Sequence, residues 1–305
     1  MSSSGWAVRP WTTDRLDDLA VLARAALPDE ELHVEDLAWC CFDDPPRDPA
    51  DGRVGPTRTV GVDGPDGPVG ALSFALRRLS GLTVAHAQLL AVPVEMRRRG
   101  VATSLVSHAE LLAREAGADT LQLGGAAPFS LFTGVDSRWT DALCLAERTG
   151  FDIAGVELDL VASTEAPSAG RHVGTSTGWV EADCDADGPA EAFLARHHPH
   201  WLAELRRGVR RGRVLAAREG SEVVGLAAHS VNRAGVVGPV VVHPDHRGGG
   251  IGTELMIEVL ADLRARGFER AEIAWTSTVR FYALACGARV LRSSLSCAKR
   301  LGRER

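Results

Sequence analysis

Lysine occurs once in these 305 residues, as Lys299, and tyrosine once, as Tyr282. The lone lysine precedes Arg300 rather than Ser or Thr, which excludes a Walker phosphate loop. Six cysteines (Cys40, Cys41, Cys144, Cys184, Cys286 and Cys297) have no C-x-x-C spacing. Neither a disulfide framework nor a zinc site is therefore expected, but reduced, mostly buried thiols are. No apolar run approaches the ~18 residues of a membrane span. Met1 to Trp6 lacks the charged start and apolar core of a secretion signal, so the expectation is a cytoplasmic chain with no membrane partner. Excess positive charge is missing too: the formal net charge of -6 leaves no footprint for nucleic acid and mildly favours cationic small molecules.

What is present is ordinary globular composition, 45% hydrophobic and 24% charged, in a chain long enough for two domains of about 150 residues. The most informative stretch is Val240 to Leu255. Val240, Val241 and Val242 read as a buried strand that Pro244 stops, and Ile251 to Met256 has helical periodicity. Gly248, Gly249, Gly250 and Gly252 thus lie between a strand and a helix N-terminus. Unpaired N–H groups and the positive end of the helix dipole suit an anion there. Arg247 adds a positive charge, and the bare glycines let a phosphate approach. A dinucleotide fingerprint is excluded by spacing, because Leu255 and Thr253 stand where its last glycine belongs.

The same stretch occurs twice. At an offset of 150, Val92, Arg97, Gly100, Thr103 and Leu105 fall on Val242, Arg247, Gly250, Thr253 and Leu255, with Ala102 at the place of Gly252. Each half then reads alike. In the first, Trp6 to Pro10 is a short strand, and Thr13 or Asp14 caps a helix through Leu22 and Ala26. An irregular segment around 43–57 follows. Strands come next near 58–63, 68–78 and 83–92, then the loop and a helix carrying Leu105, Leu111 and Leu112 inward to Gly117, and the strand Thr120 to Leu123. In the second half the order is a helix around 188–208, strands near 213–219, 222–231 and 236–243, the loop, a helix to Gly267, and Arg270 to Trp275. The expected division is 1–162, a Ser/Thr/Gly/Ala-rich linker at 163–178, and 179–305.

Arg247-x-x-Gly250-x-Gly252 after a strand, repeated as Arg97-x-x-Gly100-x-Ala102, resembles the pyrophosphate loop of the GCN5-related N-acetyltransferases (GNATs). Two further stretches resemble tandem members of that family, among them mycothiol synthase-like acetyltransferases. These are Thr133-Gly134-Val135-Asp136 before Gly150-Phe151, with Thr133 replacing a proline, and Trp275 through Phe281-Tyr282 to Gly287-Ala288.

The resemblance implies two α/β (α+β) domains, each with a mixed, mostly antiparallel splayed sheet flanked by helices. It also implies transfer of an acetyl group from acetyl-CoA to a primary amine, by a monomer or a homodimer. The acceptor would be a small molecule: an antibiotic or its precursor, an amino sugar, or a mycothiol-type thiol. Val240, Val241 and Val242 would hold the pantetheine arm, and Arg247, Gly248, Gly249, Gly250, Ile251, Gly252 and Thr253 the diphosphate. Leu90, Val92, Arg97, Arg98, Gly100, Ala102 and Thr103 would do the same in the first half. Tyr282 would protonate the leaving thiolate; five positions separate it from Gly287, where many family members have four. The stretch before Gly150 contains no tyrosine, so the first half is expected to be catalytically silent. A base is not singled out among His229, His243 and Glu272. A non-catalytic acyl-CoA sensor and a protein acetyltransferase are the competing readings.

Three patterns are set aside. Gly174-Thr175-Ser176-Thr177-Gly178 matches a hydrolase elbow but sits in the linker. His197-His198-Pro199-His200 reads as a solvated run with Trp201 packed inward, because Pro199 breaks ligand spacing on a helix. Arg206, Arg207, Arg210, Arg211 and Arg213 read as a solvated basic face, or one that attracts a coenzyme phosphate.

Overall fold

A computed structural model describes residues 5–44, 53–79, 81–125, 131–165, 176–179, 188–211 and 213–302. Gly174, Thr175, Cys184 and most of the linker lie outside them. The chain divides into two compact units, Met1–Val156 with Ser294–Arg305, and Glu157–Ser293.

In the first unit β1 (Val8–Trp11), α1 (Leu16–Ala26) and α2 (Val34–Phe42) precede β2 (Arg58–Gly64), β3 (Gly67–Leu79) and β4 (Leu82–Ala91). Then come α3 (Val101–Glu115), β5 (Thr120–Leu123), β6 (Val135–Asp136), α4 (Thr140–Arg148) and the start of β7 (Asp152–Ser163). β1 to β4 pair antiparallel in sequence order and β5 joins β4 in parallel. Leu72, Phe74 and Leu76 pack under α3 through Leu105, Val106 and Ala109. The opposite face is covered by α1 and α2, through Leu19, Leu22, Leu37 and Cys41 against Ala71, Leu89 and Ala91.

The second unit holds β8 (Ser176–Trp179), α5 (Pro189–His197), α6 (Leu202–Arg210), β9 (Val214–Glu219), β10 (Glu222–His229) and β11 (Val236–Val242). These lead to α7 (Ile251–Ala265), β12 (Arg270–Ile273), α8 (Val279–Cys286) and the start of β13 (Arg289–Arg300). β8 to β11 pair antiparallel and β12 joins β11 in parallel. Here α7 carries Ile251, Leu255, Met256 and Val259 onto one face, while α5 and α6 cover the other.

The units are not the consecutive segments 1–162 and 179–305. Beside β5 runs the end of β13, Cys297 opposite Leu123 and Arg300 opposite Thr120. Beside β12 runs the end of β7, Leu160 opposite Ile273 and Ser163 opposite Arg270. A strand goes to whichever sheet edge its backbone and buried side chains complement, and nearness in sequence does not decide it.

Local departures have plain causes. The helix expected over 188–208 is broken into α5 and α6 by a 3-10 turn at Pro199–Trp201, since proline offers no N–H. α2 falls between the first expected helix and the irregular segment around 43–57, where no element was expected, although Val34, Leu37, Ala38 and Cys41 have helical spacing. Thr13 and Asp14 fall within a short 3-10 turn with no side-chain cap, and Leu111 points outward, 50% exposed, while Leu105 is fully buried. Arg207, expected on a solvated face, is 1% exposed. Among the described residues no helix is long and apolar enough to cross a membrane.

Candidate functional site

Both units open at the same place. β5 pairs with β4 only from Val84 to Ala87, whereas β4 continues to Ala91. β12 pairs with β11 only at Val236 and Val237, whereas β11 continues to Val242. At each parting the longer strand carries a bulge: Gln88 is extra in β4, and two residues of β11, Gly238 and Pro239, face Ala228 of β10. Bulges bend a strand and re-aim it. The free edge beyond them lines a cavity, about 680 Å³ in the first unit and about 570 Å³ in the second.

The loops at the cavity mouths share one backbone. The Nε of Arg97 donates to Val92 O at 3.3 Å, and that of Arg247 to Val242 O at 3.2 Å. Left-handed residues follow in both, Arg98 (φ 62°) and Gly100 (φ 85°) in the first, Gly248 (φ 82°) and Gly250 (φ 101°) in the second. The first helical bonds run from Ser104 N–H to Gly100 O and from Glu254 N–H to Gly250 O, each 3.0 Å. The amides of 101–103 and of 251–253 therefore precede the helical ladder and are open to an anion. Gly248 and Gly250 have open space where a Cβ would stand, so what favours glycine there is the left-handed backbone, which Arg98 nevertheless adopts at the position matching Gly248. Gly252 differs, since a Cβ would lie 3.1 Å from the Phe281 ring. Counting back from the glycines that end the two helices, Gly287 and Gly150, Cys144 stands where Phe281 does.

Of the residues singled out in sequence, Val240, Val241, Val242, Arg247, Gly248, Gly250, Ile251, Gly252, Thr253 and Tyr282 all line the second cavity; Gly249 does not. Leu90, Val92, Arg97, Arg98, Gly100, Ala102 and Thr103 all line the first. The arginines are placed differently. Arg97 is also held by Asp141 at 3.3 Å and Ala26 O at 3.0 Å, and Arg148 donates to Thr103 Oγ1 at 2.6 Å.

Tyr282 is buried on α8, and burial pushes its phenol up to about 12. It therefore stays protonated at ordinary pH and can donate a proton. Full transfer to a thiolate, whose thiol ionises near 8.5, would be uphill by about 5 kcal/mol. A phenol of this kind can donate a hydrogen bond to an atom that gains negative charge in the cavity. Leu145 occupies the corresponding position in the first unit, again by count from the glycine, so that cavity has no such hydroxyl.

His229, His243 and Glu272 do not line the second cavity. His229 is fully buried; its Nε2–H donates to Asp262 at 2.9 Å and its Nδ1 accepts from Ser230 Oγ at 3.0 Å. Glu272 is paired with Arg292 at 2.8 Å and with Arg233. His243 accepts from Asp245 N–H at 3.2 Å beside His197. Sequence reasoning missed His198 and His246, which do line the cavity. The turn at Pro199 that brings in His198 was the available signal.

Residues 179–288 match the family model described as Acetyltransferase (GNAT) family. No curated protein matches the chain. Among solved structures it is similar to the GCN5-related glucosamine N-acetyltransferase region of a fungal multi-domain GH3 β-N-acetylglucosaminidase, with 18% identity and a TM-score of 0.76 over 98% of this chain and 38% of that one. It is similar to a GCN5-related N-acetyltransferase from Sphaerobacter thermophilus, with 20% identity and a TM-score of 0.67 over 99% and 97%. It is also similar to a tandem GNAT protein from the clavulanic acid biosynthesis pathway, with 19% identity and a TM-score of 0.72 over 97% and 98%. At such identities the structures establish the fold. The family match goes one step further: residues 179–288 form a GNAT acetyltransferase domain, of the acyl-CoA N-acyltransferase class.

Proposed function

We propose that the chain is an acetyl-CoA-dependent N-acetyltransferase acting on a primary amine of a small molecule, with turnover in the second unit. The observation that carries this reading is that one cavity joins the open helix N-terminus, the unpaired edge of β11 and the protonated phenol of Tyr282. The amides of 251–253 with Arg247 would take the diphosphate. The free edge at Val240–Val242 would hold the pantetheine arm, and Tyr282 would donate to the sulfur as it leaves. The cosubstrate supplies an activated acyl carbon. The first unit has a matching loop but no acid, and would bind without turning over. An amino sugar, an amine-bearing antibiotic precursor or a cysteinyl amine is the kind of acceptor this reading calls for.

Tyr282→Phe tests it. Acetyl-CoA binding, followed by calorimetry, should stay within a few-fold, while thiol release with a panel of primary amines falls at least ~10-fold. A chain that binds acetyl-CoA but releases no thiol with any amine would be a sensor.

A further inference from the structure

Resting on that reading, we propose that His198 is the catalytic base of the second cavity, its Nε2 taking the proton from the acceptor amine. The first support is an unpaired atom. His198 Nε2 is buried and has no hydrogen-bond partner, yet the residue lines the cavity that Tyr282 lines. A buried polar atom without a partner costs roughly 1–3 kcal/mol, a cost that a bound amine would remove. The second support is elimination. Among the described residues lining this cavity, Arg247 has no lone pair to offer, Tyr282 holds its proton, and His246 is engaged at both nitrogens. Its Nε2 faces Glu219 at 3.1 Å and its Nδ1 faces His243 at 3.3 Å. That leaves His198 with a free nitrogen.

The third support comes from comparing the units. His198 caps α5 with φ -147° and ψ 58°, its N–H bonded to Leu194 O. Leu27 caps α1 with φ -133° and ψ 61°, its N–H bonded to Ala23 O. Both residues line their cavities. One backbone position thus carries an imidazole in the unit that has Tyr282, and an apolar side chain in the unit that has Leu145 instead. The imidazole rests against Trp201, 5.1 Å between ring centroids and 30° between planes, with Phe193 at 6.5 Å. Those rings set its plane. Burial first, then the neighbouring His200, Arg247 and His197, hold its pKa below the ordinary histidine value. Its basic form therefore prevails at neutral pH.

In the step this assigns, the amine nitrogen bonds to the thioester carbonyl carbon and the carbon–sulfur bond breaks. His198 Nε2 takes the proton lost by nitrogen, and Tyr282 Oη–H donates a hydrogen bond to the sulfur, which departs as the thiolate. The proton on His198 then passes through solvent to the released thiolate, and Tyr282 keeps its own. No other reactant is needed.

The test compares wild type, His198→Gln and His198→Ala. Thiol release from acetyl-CoA is followed with glucosamine, tyramine and cysteine as acceptors, and acetyl-CoA affinity by calorimetry. The expected result is a ~100-fold or greater fall in kcat with acetyl-CoA affinity unchanged. The acid limb of the pH–rate profile should disappear, and added imidazole should restore part of the His198→Ala rate. A purely structural histidine would give neither of the last two effects. Turnover in His198→Gln with wild-type rate and pH profile overturns the assignment while leaving the transferase reading intact. No thiol release from wild type with any acceptor overturns both.

Discussion

Two buried imidazoles, one in each unit, govern how this protein meets acid. His86 lies in β4 and His229 in β10, and burial pushes both down to about 4. The unfolded chain takes up those protons near 6.5. Between the two values the unfolded state binds more protons, so stability is full above pH 6.5 and declines toward pH 4. Each group should account for about 3 kcal/mol across that window. His86→Gln and His229→Gln should each flatten the fall in Tm between pH 6.5 and 4, measured by thermal melts. An unchanged slope would contradict the assignment. At this scale the sequence was informative where a residue is rare or a motif repeats. The only tyrosine and the loop glycines other than Gly249 pointed to cavity walls. Histidines were not readable, since their roles depend on burial: His229 is locked in a structural hydrogen-bond chain, whereas His198, in an apparently solvated run, faces the cavity.

Helices α3 and α7 are seated on glycines of the strand below. A Cβ at Gly70 would lie 2.6 Å from Val101 Cγ1, and one at Gly225 would lie 3.1 Å from Leu255 Cδ1 and 3.2 Å from the backbone oxygen of Val241. Close approach here brings the first helical turn, and its open amides, down to the level of the parted strand. Alanine in a strand gains about 0.5–1 kcal/mol over glycine, but overpacking costs about 1–3 kcal/mol, and the Val241 carbonyl has little room to yield. Gly225→Ala should therefore destabilise the chain by about 1–2 kcal/mol and weaken acetyl-CoA binding, as read by denaturant titration and calorimetry. Leu255→Ala in the same chain should make the two changes non-additive. Strands and the loop helices were legible because hydrophobic periodicity is local. α2 and the break at Pro199 were not, the first because no capping residue announces it, the second because the periodicity continues across the turn.

For the molecule as a whole, two similar halves were visible in the motif pairs, but the partners of the last strands were not. Which sheet edge accepts β7 or β13 is settled by long-range packing that no short stretch records. The first unit buries Cys297 and Leu301 in its core, with Leu295 against it. Lys299 Nζ donates to Glu110 at 2.6 Å and to Thr149 O at 2.7 Å. Three such side chains are worth on the order of 5 kcal/mol, comparable with the whole stability of an ordinary domain. A chain ending at Ser293 should lose amide protection in β4 and β5 by hydrogen exchange, while β10 and β11 stay protected. Equal protection with and without residues 294–305 would contradict the fold.

This arrangement also orders events on the ribosome. Gln122 and its strand neighbour Ser296, joined at 2.9 Å, are 174 residues apart. At translation rates of about 5–20 residues per second, roughly 10–35 s separate their synthesis. The portion made first must wait, with one sheet edge bare, for the portion made last. Nascent chains stalled before Ser294 should accordingly be the ones that chaperones hold.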